Sequence, residues 1–137
     1  MPLIIQKYGG SSLSSPERIK KVAQRILQVS REGNDMVAVV SAMGDTTDEL
    51  LALALKLGSR PPKRELDMLL STGEIISCAL LSTALHSLGA KSISFSGPQV
   101  RIITDKAHTR ARILKIETES ILSEIKKGKI VVVAGYQ

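Results

Sequence analysis

The chain has 137 residues, of which 43% are hydrophobic, 23% charged and 2% aromatic, and its formal net charge is +6. This length suits one domain with a substantial core and is too short for two, and the scarcity of aromatics predicts an aliphatic core of the kind that buries parallel strands under helices. The basic residues are interleaved with acidic ones and are not laced with aromatics, which favours solvated helix faces over a nucleic-acid surface.

Apolar strands alternate with amphipathic helices along the sequence. In the first half we predict a strand at residues 3–7, a helix capped by Ser15 and ended by Gly33, a strand at 36–42 and a helix capped by Thr46 or Thr47 that stops at Gly58. A long helix follows from about Lys63 to Leu88, interrupted by Gly73, and then a strand at 91–97. The last part has two extended segments, "VRIITD" and "ARILKI", that suggest a hairpin laid on the sheet edge, a short helix in "ETESILSEIKKGK" and a strand at 130–135. This alternation predicts an α/β domain with a mainly parallel sheet.

Three loops follow predicted strand ends and are the first places to look for a ligand. They are "KYGGSS" after the first strand, "SAMGDTTD" after the second and "AGYQ" after the last. In parallel α/β sheets, ligands collect beyond the carboxyl ends of the strands. The first two loops also lead into helix N-termini, which attract anions through backbone N–H groups.

The "KYGGSS" loop carries the groups needed to hold phosphate oxygens. Its two glycines allow close backbone approach, and Lys7 and the hydroxyls add a charge and donors. It matches neither G-x-x-x-x-G-K-[ST] nor G-x-G-x-x-G, which excludes the two best-known phosphate loops. On composition alone, a tight turn with a surface lysine and a phosphate site are equally supported.

The stretch "VVSAMGDTTDEL" ends a buried strand with Ser41 and continues through small residues into two threonines at a helix start. Capping by Thr46 or Thr47 explains the threonines, and the acidic residues that follow complement the helix dipole. Capping explains neither Ser41 nor the "AMG" turn.

The stretch "LLSTGEII" places Gly73 and Glu74 inside an otherwise apolar helix. A glycine there costs about 1 kcal/mol relative to alanine, and a carboxylate is costly to bury unless it is paired. A glycine that eases helix packing beside a solvent-facing glutamate is one interpretation, and a functional pair is the other.

The remaining reactive side chains give little indication of function. Cys78, the single cysteine, lies in an apolar helical stretch and is expected to be a small buried hydrophobe. His86 and His108 have no cysteine or carboxylate at metal-site spacing, so we assign no metal ligands. No signal peptide and no apolar run approaching the length of a membrane span is apparent, so we expect a cytoplasmic location.

Five stretches together resemble the aspartate kinases, members of the amino acid kinase family. They are "KYGGSS", "VVSAMGDTTDEL", "LLSTGEIIS", "SFSGPQVRIITDKAHTRARI" and "GKIVVVAGYQ", in the family's order and close to its spacing across essentially the whole chain. Tyr8 and Ser11 are variants that the family pattern allows. The resemblance implies an amino acid kinase-like three-layer sandwich, with helices on both faces of the sheet, that is incomplete at its C-terminal side. Residues 1–137 would form the N-terminal, substrate-side portion of the catalytic domain, without an ACT regulatory domain.

The resemblance also implies an activity: transfer of the γ-phosphoryl group of ATP to the side chain of L-aspartate, giving 4-phospho-L-aspartate, the first step toward lysine, threonine and methionine. Lys7 would be catalytic and neutralise charge on the phosphates. The implied phosphate-binding residues are Lys7, Tyr8, Gly9, Gly10, Ser11 and Ser41, and the implied aspartate-binding residues are Thr47 and Glu74. Mg²⁺ would accompany ATP, without a dedicated protein ligand in this segment.

In the family, the strand that corresponds to "KIVVVAGYQ" is followed by more of the catalytic domain. That part carries a Gly-Arg-Gly-Gly-Ser-Asp segment, a catalytic aspartate and the loops that hold adenine and ribose. None of these is in the 137 residues, so we expect these residues alone to be catalytically incompetent.

Three alternatives remain open from the sequence. A sister kinase acting on N-acetylglutamate, glutamate, carbamate or UMP would share the fold, although "SAMGDTTD" with "STGE" resembles the aspartate branch. A non-catalytic module that assembles with a complementary chain would use its unpaired edges and apolar faces. A basic nucleic-acid-binding domain is the least favoured. As partners we therefore expect L-aspartate and ATP, no nucleic acid or membrane, and either a homo-oligomer or association with the C-terminal part of the domain.

Overall fold

The computed structural model describes residues 1–135 and confirms the α/β class. Its strands are β1 (Leu3–Tyr8), β2 (Asp35–Val40), β3 (Ser92–Phe95), β4 (Ile102–Thr104), β5 (Ile113–Ile116) and β6 (Ile130–Ala134), and its helices are α1 (Pro16–Arg31), α2 (Thr46–Leu57), α3 (Lys63–Ser87) and α4 (Glu119–Lys126). Two short 3₁₀ helices, Gly10–Leu13 and Pro98–Val100, follow β1 and β3. The order of elements is the one that the sequence predicts.

The main sheet has four parallel strands in the order β1-β2-β6-β3. β1 and β2 run in register from Leu3 opposite Asp35 to Tyr8 opposite Val40, and β2 continues in register with β6 up to Ala134. The carboxyl ends of β1, β2 and β6 therefore lie side by side. The loops that follow them emerge at one edge of the sheet, where parallel sheets place their ligands.

Helices cover both faces of this sheet, as the three-layer arrangement requires. Helices α1 and α3 pack against each other and against one face, and their apolar residues form the larger core with the inward residues of β2 and β6. Helix α4 packs on β6 at the other face, where Ile125 joins Val37, Val131 and Val133 in a second cluster. The valine-rich strands β2 and β6 are covered on both faces, which explains their continuous apolar runs.

The hairpin predicted for residues 100–116 forms, but not on the edge of the main sheet. β4 and β5 pair antiparallel as a separate two-stranded sheet within the described range 1–135. The chain leaves β3 through the 3₁₀ helix that ends at buried Val100, and Arg101 then adopts left-handed backbone with φ +55°. This turn redirects the chain before β4 begins, so the hairpin does not extend the sheet.

The structure confirms one predicted helix cap and corrects another. The Oγ of Ser15 accepts a hydrogen bond from the Arg18 N–H at 3.2 Å, as predicted. In the part of the chain that the structure covers, neither Thr46 nor Thr47 caps α2 through its side chain. The helix begins at Thr46 with Asp45 at the N-cap position, so both threonines lie inside the first turn.

Helix α3 is continuous from Lys63 to Ser87, so Gly73 does not interrupt it. By length and composition alone this helix could cross a membrane, which corrects the expectation that no apolar run is long enough. Its contacts with α1, β3 and β6 are those of a core helix. Core helices of soluble proteins meet the same criteria.

We predict that Cys78 is unreactive in the native protein. Its side chain is buried, and that burial together with the nearby Glu74 carboxylate raises the thiol pKa from 9.0 to about 12. At pH 8 the thiolate population, and with it the rate of alkylation, should be roughly a thousandfold lower than in the unfolded chain. Iodoacetamide labelling followed by mass spectrometry, with and without denaturant, measures the difference. Equal rates in the two conditions would contradict a buried thiol.

Candidate functional site

Three loops meet at the carboxyl edge of the sheet and are tied together by backbone hydrogen bonds. The Ser41 N–H donates to the Tyr8 carbonyl at 3.2 Å, and the Gly135 N–H donates to the Val40 carbonyl at 2.9 Å. The loops after β1, β2 and β6 thus start from fixed positions. Of the predicted "AGYQ" loop, Tyr136 and Gln137 lie outside the described residues.

The two consecutive glycines of the first loop have different surroundings. A Cβ atom built on Gly10 would lie 2.8 Å from the Ala42 carbonyl oxygen and 3.0 Å from that of Gly44. The Gly10 carbonyl also accepts a hydrogen bond from the Gly44 N–H at 2.8 Å. Gly10 is therefore glycine because the second loop presses against it.

Gly9 has no such structural reason to be glycine. Its backbone is extended, with φ −82° and ψ 173°, a conformation that any residue adopts. A Cβ built on it meets no heavy atom within 4 Å among residues 1–135. The space above Gly9 is thus open, and its lack of a side chain leaves the backbone accessible from outside the chain.

Lys7 and Tyr8, which sequence reasoning placed together on the phosphates, point to opposite faces of the sheet. Side chains alternate along a strand, and Tyr8 packs with the α1–α3 core, where its hydroxyl donates to the Gln6 Oε1 at 2.7 Å. Burial raises the pKa of Tyr8, with a smaller opposing effect from the positive charge of Arg25. Lys7 is exposed on the other face. A contact of Tyr8 with a ligand at this edge would therefore be made by its backbone.

Ser11 is exposed within the first 3₁₀ helix, and its carbonyl faces α1. That carbonyl accepts from the Ser14 Oγ at 3.0 Å and from the Arg18 guanidinium at 3.2 Å. The following Leu13 is fully buried and anchors the loop to the larger core. The hydroxyl of Ser11 is left at the surface of a loop whose backbone is fixed on its other side.

The second loop turns sharply so that Ala42 can pack inward. Gly44 has φ +48°, a left-handed conformation that favours glycine. A Cβ built on Gly44 would lie 3.5 Å from the Ser14 Cβ. Ala42 is 4% exposed, whereas Ser41 is half-buried and Thr47 is exposed in the first turn of α2. The turn thus places one small residue in the interior and leaves two hydroxyl-bearing residues at the edge.

Helix α3 approaches this loop through Gly73. A Cβ on Gly73 would lie 3.0 Å from the Ala42 Cβ and 3.3 Å from the Thr46 Cγ2. Both glycines, Gly10 and Gly73, thus pack against the segment 42–46. We call the four residues Gly10, Ala42, Gly44 and Gly73 the Ala42 junction.

Glu74 is buried beside this junction, with 6% of its surface exposed. The interpretation of a solvent-facing glutamate is therefore wrong, and that of a glycine that eases packing is right for Gly73. The negative charge of Glu74 contributes to the raised pKa of Cys78, which lies one turn further along α3. A buried carboxylate is a strong site for an ammonium group that can hydrogen-bond to it.

One contact near the site could not be found from sequence spacing. The His108 Nδ1 lies 3.1 Å from an oxygen of the Asp67 carboxylate, which also accepts from the Thr109 N–H at 2.9 and 3.1 Å. These bonds hold a left-handed residue, Thr109 with φ +68°, and fasten the β4–β5 hairpin to α3. Asp67 and the ends of β3 and β6 line a cavity of about 300 Å³.

The structure thus places most of the predicted residues at one edge. Lys7, Gly9, Gly10, Ser11, Ser41, Thr47 and Glu74 lie on the loops and helix turns that the Ala42 junction connects. The Tyr8 side chain is turned away from them. Sequence reasoning missed Ala42 and Gly44, whose signal was the small-residue turn "AMG" that capping did not explain. Across residues 1–135, no group of three or more His, Cys, Asp or Glu side chains is arranged to hold a metal ion.

Comparison with known proteins gives a consistent result. The model of the amino acid kinase family matches residues 2–137. The aspartokinase of Bacillus sp. (strain MGA3) is 53% identical over all 137 residues, which cover 33% of its length. The crystal structure of aspartate kinase from Synechocystis has a TM-score of 0.81 at 45% identity, over 98% of this chain and 22% of that one. E. coli aspartokinase III, solved with aspartate and ADP, has a TM-score of 0.82 at 18% identity over 98% of this chain and 40% of its own, a likeness of fold alone.

Replacing each glycine of the first loop with alanine should change the stability of the protein differently. Gly10→Ala forces a Cβ against backbone oxygen and should lower the free energy of unfolding by about 1–3 kcal/mol. Gly9→Ala should leave it unchanged or raise it by about 0.5 kcal/mol, since alanine restricts the unfolded chain. Urea denaturation followed by circular dichroism measures both. Equal losses in the two variants would contradict the assigned surroundings.

Proposed function

The chain belongs to the amino acid kinase family, and we propose that it is the part of an aspartate kinase that binds L-aspartate and the β- and γ-phosphates of ATP. In the proposed reaction an oxygen of the aspartate side-chain carboxylate attacks the γ-phosphorus. The bond from that phosphorus to the bridging oxygen breaks, and ADP leaves. The chain spans about a third of the length of the curated relatives it matches.

The observation that carries this proposal is the meeting of three segments at the Ala42 junction. They bring a lysine and an open glycine loop, a pair of hydroxyl residues and a buried carboxylate to one edge of the sheet. Phosphoryl transfer needs little covalent chemistry from the protein, because its transition state is stabilised by positioning and by charge neutralisation. This arrangement supplies the residue types for both.

The first loop is suited to the phosphate end of the reaction. Lys7 is exposed at the end of β1 and would neutralise negative charge on the transferring group. Gly10 and Ser11 begin a 3₁₀ helix, so their N–H groups have no partner within it and would donate to phosphate oxygens. The open space above Gly9 would admit those oxygens to the backbone.

The second loop and α3 are suited to the amino acid. Thr47 is exposed in the first turn of α2, where the helix dipole favours a carboxylate. Glu74 would bind the α-ammonium group through charge-assisted hydrogen bonds in a largely water-free setting. Ser41 begins the second loop, where its N–H is bonded to the end of β1, and it would contact the transferring group or the acceptor carboxylate.

ATP fits the residues described, and Mg²⁺ fits them only through ATP. The open glycine loop and Lys7 suit a triphosphate, whereas the described range 1–135 offers no cluster of carboxylates and imidazoles for a dedicated cation site. When bound, Mg²⁺ would neutralise phosphate charge, with phosphate oxygens and water as its ligands. The protein's contribution is then to hold the phosphates in line with the acceptor.

We predict that Lys7→Ala and Glu74→Gln, made in the full-length gene product, affect different kinetic constants. Lys7→Ala should lower kcat by about 10²–10³, since it removes a charge that acts on the transition state. Glu74→Gln should chiefly raise the KM for aspartate, since the isosteric amide cannot pair with an ammonium group. Aspartyl-hydroxamate formation with ATP and Mg²⁺ measures both.

Lys21→Ala on α1 and Glu32→Gln at its end are matched controls, because both side chains are exposed and neither contacts the glycines of the junction. They should keep wild-type kinetics. Wild-type kinetics in Lys7→Ala or Glu74→Gln would remove that residue from the site. The 137-residue chain tested alone should give no hydroxamate, and robust turnover by it would refute the expectation that these residues are incompetent by themselves.

A further inference from the structure

We propose that Gly73 is a positioning residue: by lacking a side chain, it sets the distance between Glu74 and the loop that carries Ser41 and Thr47. This inference rests on the proposed function, because it concerns how the amino acid is held between α3 and the second loop. The geometric basis is independent of that function. It consists of the close contacts of Gly73 with Ala42 and Thr46.

Gly73 is not required by the backbone of α3. It lies inside a continuous helix, where alanine is the better helix former and glycine weakens the element. Its backbone is not in the left-handed region, in contrast to that of Gly33, Gly44, Gly89 and Gly128, which have positive φ. A glycine that the helix itself disfavours has to be explained by what lies opposite it.

What lies opposite Gly73 is the packed side of the second loop. A Cβ at position 73 would come within 3.0 Å of the Ala42 Cβ, about half an ångström closer than carbon atoms ordinarily pack. Ala42 cannot retreat easily, since its carbonyl oxygen already lies only 2.8 Å from the position of a Cβ on Gly10. An added methyl group would therefore move α3 outward rather than the loop.

Moving α3 outward moves Glu74, the next residue, relative to Thr47. Thr47 is fixed to the loop through Thr46, whose Cγ2 is the second neighbour of Gly73. The two residues that we assign to the amino acid would thus separate by a few tenths of an ångström. Misplacement on this scale is expected to weaken binding of a small, rigidly held substrate roughly tenfold.

The test is a cycle of four full-length proteins: wild type, Gly73→Ala, Ala42→Gly and the double variant. Gly73→Ala should raise the KM for aspartate roughly tenfold, with a smaller change in kcat and none in the KM for ATP. In the Ala42→Gly background the same substitution should change the KM for aspartate less than about twofold, because the opposing Cβ has been removed. Gly58→Ala is the matched control, since a Cβ there meets no described atom within 4 Å.

The melting temperature gives a readout that does not depend on activity. Gly73→Ala should lower Tm in the wild-type background and lower it clearly less in the Ala42→Gly background, where the 3.0 Å contact is gone and only the 3.3 Å approach to the Thr46 Cγ2 remains. An equal Tm change in both backgrounds would overturn the steric account. So would a Gly73→Ala protein that fails to fold and is not rescued by Ala42→Gly.

The kinetic outcomes separate this inference from the proposed function. An active wild type whose Gly73→Ala variant keeps the wild-type KM for aspartate overturns the positioning role alone. A raised KM that Ala42→Gly does not restore overturns it as well. A wild type with no aspartate-dependent turnover contradicts the proposed function, and the positioning role falls with it.

Discussion

The packing of two glycines against Ala42 is the contact on which the site depends. Gly10 packs against the carbonyl oxygen of Ala42, and Gly73 packs against the Ala42 Cβ. Both contacts are so close that a side chain at position 10 or 73 would have to displace Ala42. Neither contact lies in the hydrogen-bonded sheet or in a helix ladder. The sheet brings the strand ends side by side, and the junction then fixes the loops and α3 relative to one another. Tight packing of this kind transmits small displacements instead of absorbing them.

Neighbouring residues in the site therefore have distinct physical roles that residue type does not reveal. Gly10 is required by the fold, whereas Gly9 is required by nothing in the described chain and leaves its backbone open. Lys7 and Tyr8 are adjacent and lie on opposite faces of the sheet, Lys7 exposed and Tyr8 half-buried against the core. In a strand that ends at a ligand edge, alternate residues serve the core and the site in turn.

The sequence sufficed for the order of elements and the parallel sheet, because these follow from local periodicity, and its motifs pointed to candidate residues that mostly lie at one edge of that sheet. Ser15 caps α1 through a contact three residues along the chain, which a local pattern can indicate. The errors concern contacts between distant segments. The exception is the local error at α2, which begins at Thr46 with Asp45 at the N-cap position. The His108–Asp67 contact, by contrast, spans 41 residues. Likewise, Glu74 is buried because α3 packs against a loop some thirty residues earlier in the chain.

Helix α2, which begins at the second loop, is held in place by few buried contacts. Within the described residues it contributes no buried side chain, and it exposes Leu53, Leu55 and Leu57. Its own packing therefore gives it little rigidity, and elements with few buried contacts open most readily. What fixes its first turn is the contact of Thr46 with Gly73 and the hydrogen bond to Met43. The backbone at Thr47 is thus held at the junction, whereas the rest of α2 has few buried contacts. In the function that we propose, this arrangement would let the second loop admit a substrate and hold it in register with Glu74.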